Sequence, residues 1–219
     1  MFTDDGYLIV PGVVPAERCQ ELTSAADSWF SSGAGTRGML SRPEIAALAR
    51  EILASPVIAP LLPCDPVAVQ CTYFRKNATT NWFVPWHQDT SLPCRRGIGS
   101  IDPDRWAIKE GEDFVEPPAA VLETVVAVRL ALDDNTPENG PLQVRPGSHR
   151  NGLLTEPELD ALQTPPVDCC VATGGAVLMR PLLVHSSRRV IGTAPRRVLH
   201  FVYGPRRPPL GLEWNLTVA

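Results

Sequence analysis

The chain has 219 residues, 44% apolar and 20% charged, enough for one globular domain with a sizeable core. Basic residues number 20 against 24 acidic, a net charge of −4, and the arginine pairs at 188–189, 196–197 and 206–207 are scattered, which argues against nucleic-acid binding. The acidic opening Met1 to Gly6 is unlike a secretion signal, the apolar stretch Val121 to Leu132 is broken by Glu123 and Arg129, and the six cysteines form no CxxC pair, so the expectation is a cytoplasmic protein with reduced thiols and no membrane span.

Tyr7-Leu8-Ile9-Val10 reads as a short buried strand closed by Pro11-Gly12. Pro15 then opens a helix whose apolar residues Cys19, Leu22, Ala26, Trp29 and Phe30 recur at helical spacing. Ser41 and Glu44 have the spacing of a capping box, followed by Ile45, Leu48, Ala49, Ile52 and Leu53 on one face of a second helix. Neither apolar stripe carries a polar group, so residues 1–63 read as a mainly helical support layer for a sheet.

From Val67 the period becomes that of a strand, and Arg75 to Asn81 reads as a polar hairpin loop leading into Trp82-Phe83-Val84. Residues 91–118, rich in Pro and Gly (Gly97 and Gly99 among them), read as a long irregular lid with Arg95, Arg96, Trp106, Lys109 and Phe114 as possible substrate contacts. Leu122 to Leu132 is the clearest central strand, with Arg129 needing a partner if buried. Asn139-Gly140 is a strong hairpin signal, and Thr155 with Glu158 caps a short surface helix. Strands at 167–171, 176–179, 182–185 and 197–203 complete a run of about eight, the pattern of a sandwich or jelly-roll barrel over residues 64–205.

Chemistry concentrates in Val84-Pro85-Trp86-His87-Gln88-Asp89-Thr90. In an extended segment the side chains of His87 and Asp89 face the same way, as two ligands of one metal must. That spacing suits a centre of two histidines and one carboxylate with the opposite face open. The second histidine is His149, His185 or His200. His149 follows a Pro-Gly-Ser turn and His200 lies inside the last strand, whereas His185 ends an apolar strand, the rigid position a ligand needs, and is preferred. Arg196, eleven residues on, stands where it could clamp a carboxylate with two parallel hydrogen bonds.

Phe2 to Tyr7, Trp86-His87-Gln88-Asp89, Asn139-Gly140-Pro141-Leu142, Pro146-Gly147-Ser148-His149 and His185-Ser186-Ser187 followed by Arg196 resemble the phytanoyl-CoA dioxygenase family of non-haem iron(II), 2-oxoglutarate-dependent oxygenases. The resemblance implies a mainly β fold with flanking helices, a double-stranded β-helix (jelly roll, cupin-like), with His87, Asp89 and His185 on the iron. It implies that Arg196, assisted by Ser187, binds the distal carboxylate of 2-oxoglutarate, with Gln70, Tyr73 and Asn81 as further candidates and O2 as co-reactant. Arg129, Trp106 and Arg95 are the candidate substrate residues, the substrate being a small molecule. Halogenating relatives lack the carboxylate at the position of Asp89, so its presence favours hydroxylation, desaturation or cyclisation. The rival readings are an iron enzyme of cupin type without 2-oxoglutarate, and a jelly roll that binds a small molecule without catalysis.

Overall fold

A computed structural model describes residues 2–29, 35–97 and 100–219; Phe30 and Gly99 lie outside the described residues. In chain order the described elements are α1 (Phe2–Asp5), β1 (Tyr7–Val10), α2 (Ala16–Ala26), β2 (Gly35–Thr36), α3 (Pro43–Leu53), β3 (Pro66–Lys76), β4 (Val84–His87), β5 (Trp106–Lys109), β6 (Glu112–Val115), α4 (Ala119–Leu122), β7 (Val126–Ala131), β8 (Leu142–Val144), α5 (Glu156–Ala161), β9 (Val167–Cys169), β10 (Ala176–Met179), β11 (His185–Ser187) and β12 (Arg196–Pro205), with short 3-10 turns between some of them.

Two antiparallel sheets carry the architecture, one ordered β1-β10-β7-β12-β3-β2 and the other β4-β11-β8-β9. Their facing sides form a double-stranded β-helix, the expected jelly roll. Alternation along each strand sorts the large sheet's residues into two environments. Val126, Val128, Leu130, Leu199, Phe201 and Tyr203 point outward into one buried cluster with Cys19, Leu22 and Trp29 of the first helical segment and Ile45, Leu48 and Ile52 of α3. Ala127, Ala131, Val177 and Met179 point inward and meet Leu142, Val144, Cys169 and Leu183. The support layer is therefore packed on the back of the sheet, leaving its inner face for the cavity.

Several expectations are corrected. The helix α3 begins at Pro43 with Arg42 as its cap, while the Ser41 hydroxyl donates to Gly38 O in the preceding 3-10 turn, so Ser41 and Glu44 form no capping box. Proline at the first helical position sets that start instead. Thr155 and Glu158 do form theirs. The stretch from Leu122 to Leu132 is not all strand: Leu122 ends α4 and β7 starts at Val126. Asn139-Gly140 joins no hairpin. Asn139 closes a 3-10 turn capped by Thr136, Gly140 adopts φ 66°, and the chain crosses from β7 in one sheet to β8 in the other. A Cβ on Gly140 would meet Arg188 O at 2.3 Å, so close approach as well as turn geometry requires glycine there.

Residues 182–184 are buried but irregular, and His185 begins β11 rather than ending a strand. The lid of residues 91–118 is not wholly irregular either. Strands β5 and β6 pair through Glu110-Gly111, both at positive φ, as a two-residue hairpin turn of the right twist demands. Leu92 bridges Val115, which ties the hairpin to the barrel.

Candidate metal centre and active-site cavity

β4 and β11 lie side by side with His87 directly opposite His185. That register brings the two imidazoles to a centroid separation of 4.1 Å, tilted by 51°. Asp89 follows two residues after His87, just past the strand end, with its backbone N–H donating to Pro181 O at 2.9 Å. His87, Asp89 and His185 each offer one ligand atom, all within 4.8 Å of one another. Gln88 between them turns away: its amide donates to Gly152 O and Leu182 O and accepts from the Leu154 N–H, so it pins the motif to the neighbouring loops.

Both histidines are oriented alike. His87 Nδ1 lies 2.8 Å from Pro85 O, and His185 Nδ1 lies 2.8 Å from Leu183 O. A carbonyl only accepts, so each Nδ1 carries the proton and each Nε2 keeps a free lone pair. Burial pushes His185 down to about 3, against the pull of Asp89 in the other direction, so its imidazole is neutral near neutral pH. Burial works to raise Asp89; opposing interactions with His185, His200, His87 and Arg129 more than offset it and leave the carboxyl below its ordinary range. At neutral pH, where His185 and His200 are uncharged, Arg129 still acts on it as a cation. Two imidazole Nε2 atoms and one carboxylate fit the donor set of a divalent iron site with an open face.

The third inward histidine is His200, on β12 opposite Arg129 on β7. Arg129 Nη1 lies 3.2 Å from His200 Nδ1. Guanidinium has no acceptor, so Nδ1 accepts and the imidazole proton sits on Nε2. That nitrogen lies 3.8 Å from Asp89 Oδ2, while His185 Nε2 lies 3.7 Å from the same oxygen. Burial lowers His200 to about 4, leaving it neutral and, in this tautomer, with its Nε2 proton facing Asp89 across a gap too long for a hydrogen bond.

A cavity of about 550 Å³ opens from this cluster. Along β12 the inward residues Arg196, His200 and Val202 line it; along β3 Gln70, Thr72, Phe74 and Lys76 do. Arg196 is 2% exposed and its Nε has no hydrogen-bond partner among the described residues. Burial, then the charge of Arg129, lowers its pKa to about 9, so it remains cationic at neutral pH and, among the described residues, without a counter-ion. Lys76 stands opposite Arg196 in the β3–β12 register and donates to Ser187 Oγ at 2.9 Å and Arg188 O at 2.8 Å. Ser187 in turn donates to Gly140 O at 3.1 Å.

Of the residues expected at the cavity, His87, Asp89, His185, Ser187, Arg196, Gln70 and Arg129 line it. Gln70 Oε1 is buried without a partner among the described residues. Tyr73 is turned to the other side of β3, edge-on to Trp29 at 5.8 Å; alternation from Gln70 selects Thr72 and Phe74 instead. Asn81 mimics a backbone strand pair, donating to Val190 O and accepting from its N–H, and does not line the cavity. Trp106 packs under Arg96 at 5.7 Å from its ring, and Arg95 is an exposed residue 3.6 Å from Glu213; both lie off the cavity. Lys76 was not among the expected residues, though its place on the alternation 70, 72, 74, 76 marks it. Lys109 and Phe114 do line the cavity, as the lid reading allowed.

The family model for phytanoyl-CoA dioxygenase (PhyH) matches residues 30–198. Among curated proteins, no sequence matches significantly. Three similar solved structures are the non-haem α-ketoglutarate-dependent epimerase SnoN from nogalamycin biosynthesis (TM-score 0.66, 20% identity, 94% of this chain and 80% of that one), HygX from Streptomyces hygroscopicus with nickel and 2-oxoglutarate bound (0.63, 21%, 93% and 84%), and the non-haem α-ketoglutarate-dependent carbocyclase SnoK from nogalamycin biosynthesis (0.64, 16%, 94% and 82%). At these identities the likeness speaks for the fold.

Proposed function

The chain belongs to the phytanoyl-CoA dioxygenase family, and from that premise we propose that it is an iron(II)- and 2-oxoglutarate-dependent oxygenase that hydroxylates an unactivated C–H of a small-molecule metabolite or natural-product intermediate. The observation that carries the reading is the conjunction, in one cavity, of the His87–Asp89–His185 cluster with the buried guanidinium of Arg196, which has no counter-ion among the described residues. A site that used the metal without a keto-acid would have no need of that second feature. The whole chain reads as one catalytic unit, the helical layer of residues 1–63 stiffening the sheet that carries half the site.

In this reading His87, Asp89 and His185 hold the iron, and Arg196 pairs with the distal carboxylate of 2-oxoglutarate through parallel charge-assisted hydrogen bonds. When bound, iron with 2-oxoglutarate and O2 would supply the oxidising equivalent, with release of succinate and CO2. The chain's own residues do the rest. Pro85 O and Leu183 O fix the rotation of the two imidazoles, and His200 presents its Nε2 proton toward Asp89 Oδ2 across 3.8 Å, a favourable electrostatic neighbour for a carboxylate that would hold the iron. Lys76 holds Ser187 and the Arg188 carbonyl, so the floor beside Arg196 is rigid. Phe74, Leu92, Leu142 and Val202 line the cavity with apolar surface and exclude water from the reacting bond. Asp89 favours hydroxylation over halogenation because it occupies the place a halide would need. SnoN and SnoK, named an epimerase and a carbocyclase, have the same fold, so desaturation or cyclisation is the second reading.

Adding iron(II) and then 2-oxoglutarate under anaerobic conditions should produce the weak visible charge-transfer band of the chelate. Arg196→Ala should weaken 2-oxoglutarate about a hundredfold while iron still binds. Folded, iron-loaded protein without the band sinks the reading. Mass spectrometry of products should show gain of one oxygen; loss of two hydrogens instead would favour the second reading.

A further inference from the structure

The cavity holds more positive charge than the proposed cofactors neutralise. Lys76, Lys109, Arg129 and Arg196 line it without an ion-pair partner within 4 Å among the described residues, while Arg37, a fifth lining cation, is paired with Glu110. Asp89 and Glu116 are the carboxylates in the lining. A divalent iron and the dianion of 2-oxoglutarate cancel each other in charge, so even with Arg196 paired to the cosubstrate the loaded site keeps four cationic side chains against two carboxylates. Burial, with the charges of Arg196 and Arg129, lowers Lys76 to about 7, so part of that excess is relieved at neutral pH, but not all.

The excess is divided in space. Arg196, Arg129 and Lys76 repel one another at the base of the cavity, where 2-oxoglutarate is placed. Lys109 is not one of that group; it ends β5, on the hairpin that lines the cavity through Lys109 and Phe114, with Arg37, Glu116 and Asp89 as its charged neighbours. Its ammonium donates to Ser91 Oγ at 2.7 Å and lies 5.3 Å from the Phe114 ring, which leaves two donors uncommitted. The hairpin is not free to carry Lys109 away. Glu110, the next residue, is latched to the side chain of Arg37 and to its backbone N–H at 3.1 Å, and Arg96 holds Asp113 at 3.0 Å. Burial, with the charge of Arg37, lowers Lys109 although Glu116 and Asp89 pull the other way, so a half-buried ammonium held here at a net cost has a use if an anion arrives.

We infer that the substrate carries an oxyanion, a carboxylate or a phosphate, and that Lys109 is the specificity-determining residue that engages it. The anionic end docks under the β5–β6 hairpin against Lys109, and the remainder lies against Phe83, Phe114 and Phe74 on the way to the metal centre. Phe83, a lining residue that is 52% exposed, then gains cover when substrate enters. The inference rests on the iron and 2-oxoglutarate reading of the same cavity.

The test uses the full chain loaded anaerobically with iron(II) and 2-oxoglutarate, titrated at constant ionic strength with inorganic phosphate and, separately, with acetate, followed by calorimetry and by the visible band. At least one of the two anions should bind saturably without removing the band, and the better of them names the source chemistry. Lys109→Met should weaken that anion about tenfold and Lys109→Arg should restore most of it, both with the band intact. No saturable binding, equal binding to Lys109→Met, or loss of the band as the anion binds would overturn the inference, the last because the anion would then be sitting in the 2-oxoglutarate site. If the band never forms, the iron and 2-oxoglutarate reading fails and this inference with it, a result distinct from the other three.

Discussion

Arg129 can only donate, so His200 beside it keeps its proton on Nε2 and presents an N–H, not a lone pair, toward Asp89, which makes it no fourth ligand. Sequence alone left three histidines as possible partners of His87; the neighbours of each ring separate them. His149 sits under the amino-terminal turn, 3.2 Å from Thr3 O, away from the cavity. Replacing His200 with Phe should weaken iron about tenfold in an equilibrium titration, whereas His200→Gln, which keeps an N–H at the same reach, should retain most of the affinity. The pH dependence has a definite sign. Burial lowers His185 to about 3 and His200 to about 4, so between pH 6.5 and about 4 the unfolded chain binds protons that the folded chain does not. Stability of the metal-free protein should therefore fall as pH falls through that window. Denaturant midpoints from pH 6.5 to 4.5 should show the slope, and His200→Gln should remove roughly half of it; an unchanged slope would mean His200 is not buried neutral.

The crossing between sheets at Asn139-Gly140 decides how well the site's second half is held. Gly140 O accepts from Ser187, its Cα lies against the Arg188 carbonyl, and that carbonyl accepts from Lys76 beside Arg196. Gly140→Ala would place a methyl 2.3 Å from Arg188 O at a φ of 66° that alanine disfavours. A loss of about 2–4 kcal/mol in denaturant unfolding is expected, and since β11 must shift, 2-oxoglutarate should bind more weakly as well. The β5–β6 hairpin behaves differently, because it lines the cavity through Lys109 and Phe114 and is tied by Arg37–Glu110, Arg96–Asp113 and the Leu92–Val115 bridge. Arg37→Ala should raise amide exchange in residues 106–115 while the global melting temperature moves little, since exposed ion pairs contribute about 1 kcal/mol or less. A large global loss would instead make the hairpin part of the cooperative core.

Across the molecule, the large sheet divides the labour. Its outer face and the helices α2 and α3 form an apolar cluster with none of the cavity residues in it, and its inner face carries Gln70, Lys76, Arg129, Arg196 and His200. Leu48 is fully buried in the outer cluster. Leu48→Ala should cost about 2–5 kcal/mol by denaturant titration, with iron affinity at saturating protein stability unchanged. A variant that folds but loses the metal would show that the back of the sheet sets the ligand geometry directly.

Periodicity along the chain already carries much of this. The stripes Cys19, Leu22, Ala26 and Ile45, Leu48, Ala49, Ile52 are buried as their spacing required, because a one-sided apolar helix has one stable place to go. His87 and Asp89, two residues apart beside a proline-containing strand, and Arg196 with His200 on one face of the last strand, were likewise local facts. Where local rules competed, they failed: Ser41 lost the cap to the proline two residues on, Asn139-Gly140 turned between sheets instead of within one, and Tyr73 was placed at the site against its own alternation. What no local pattern contains is register. That His185 stands opposite His87, that Lys76 stands opposite Arg196, that Arg129 meets His200, and that a hairpin from residues 106–115 brings Lys109 over the same cavity all follow from pairing between strands distant in the chain. The sequence by itself determined which residues could serve; only the packing of two sheets decided which of them share one space, because strand pairing is set by the sum of many weak contacts rather than by any neighbour along the chain.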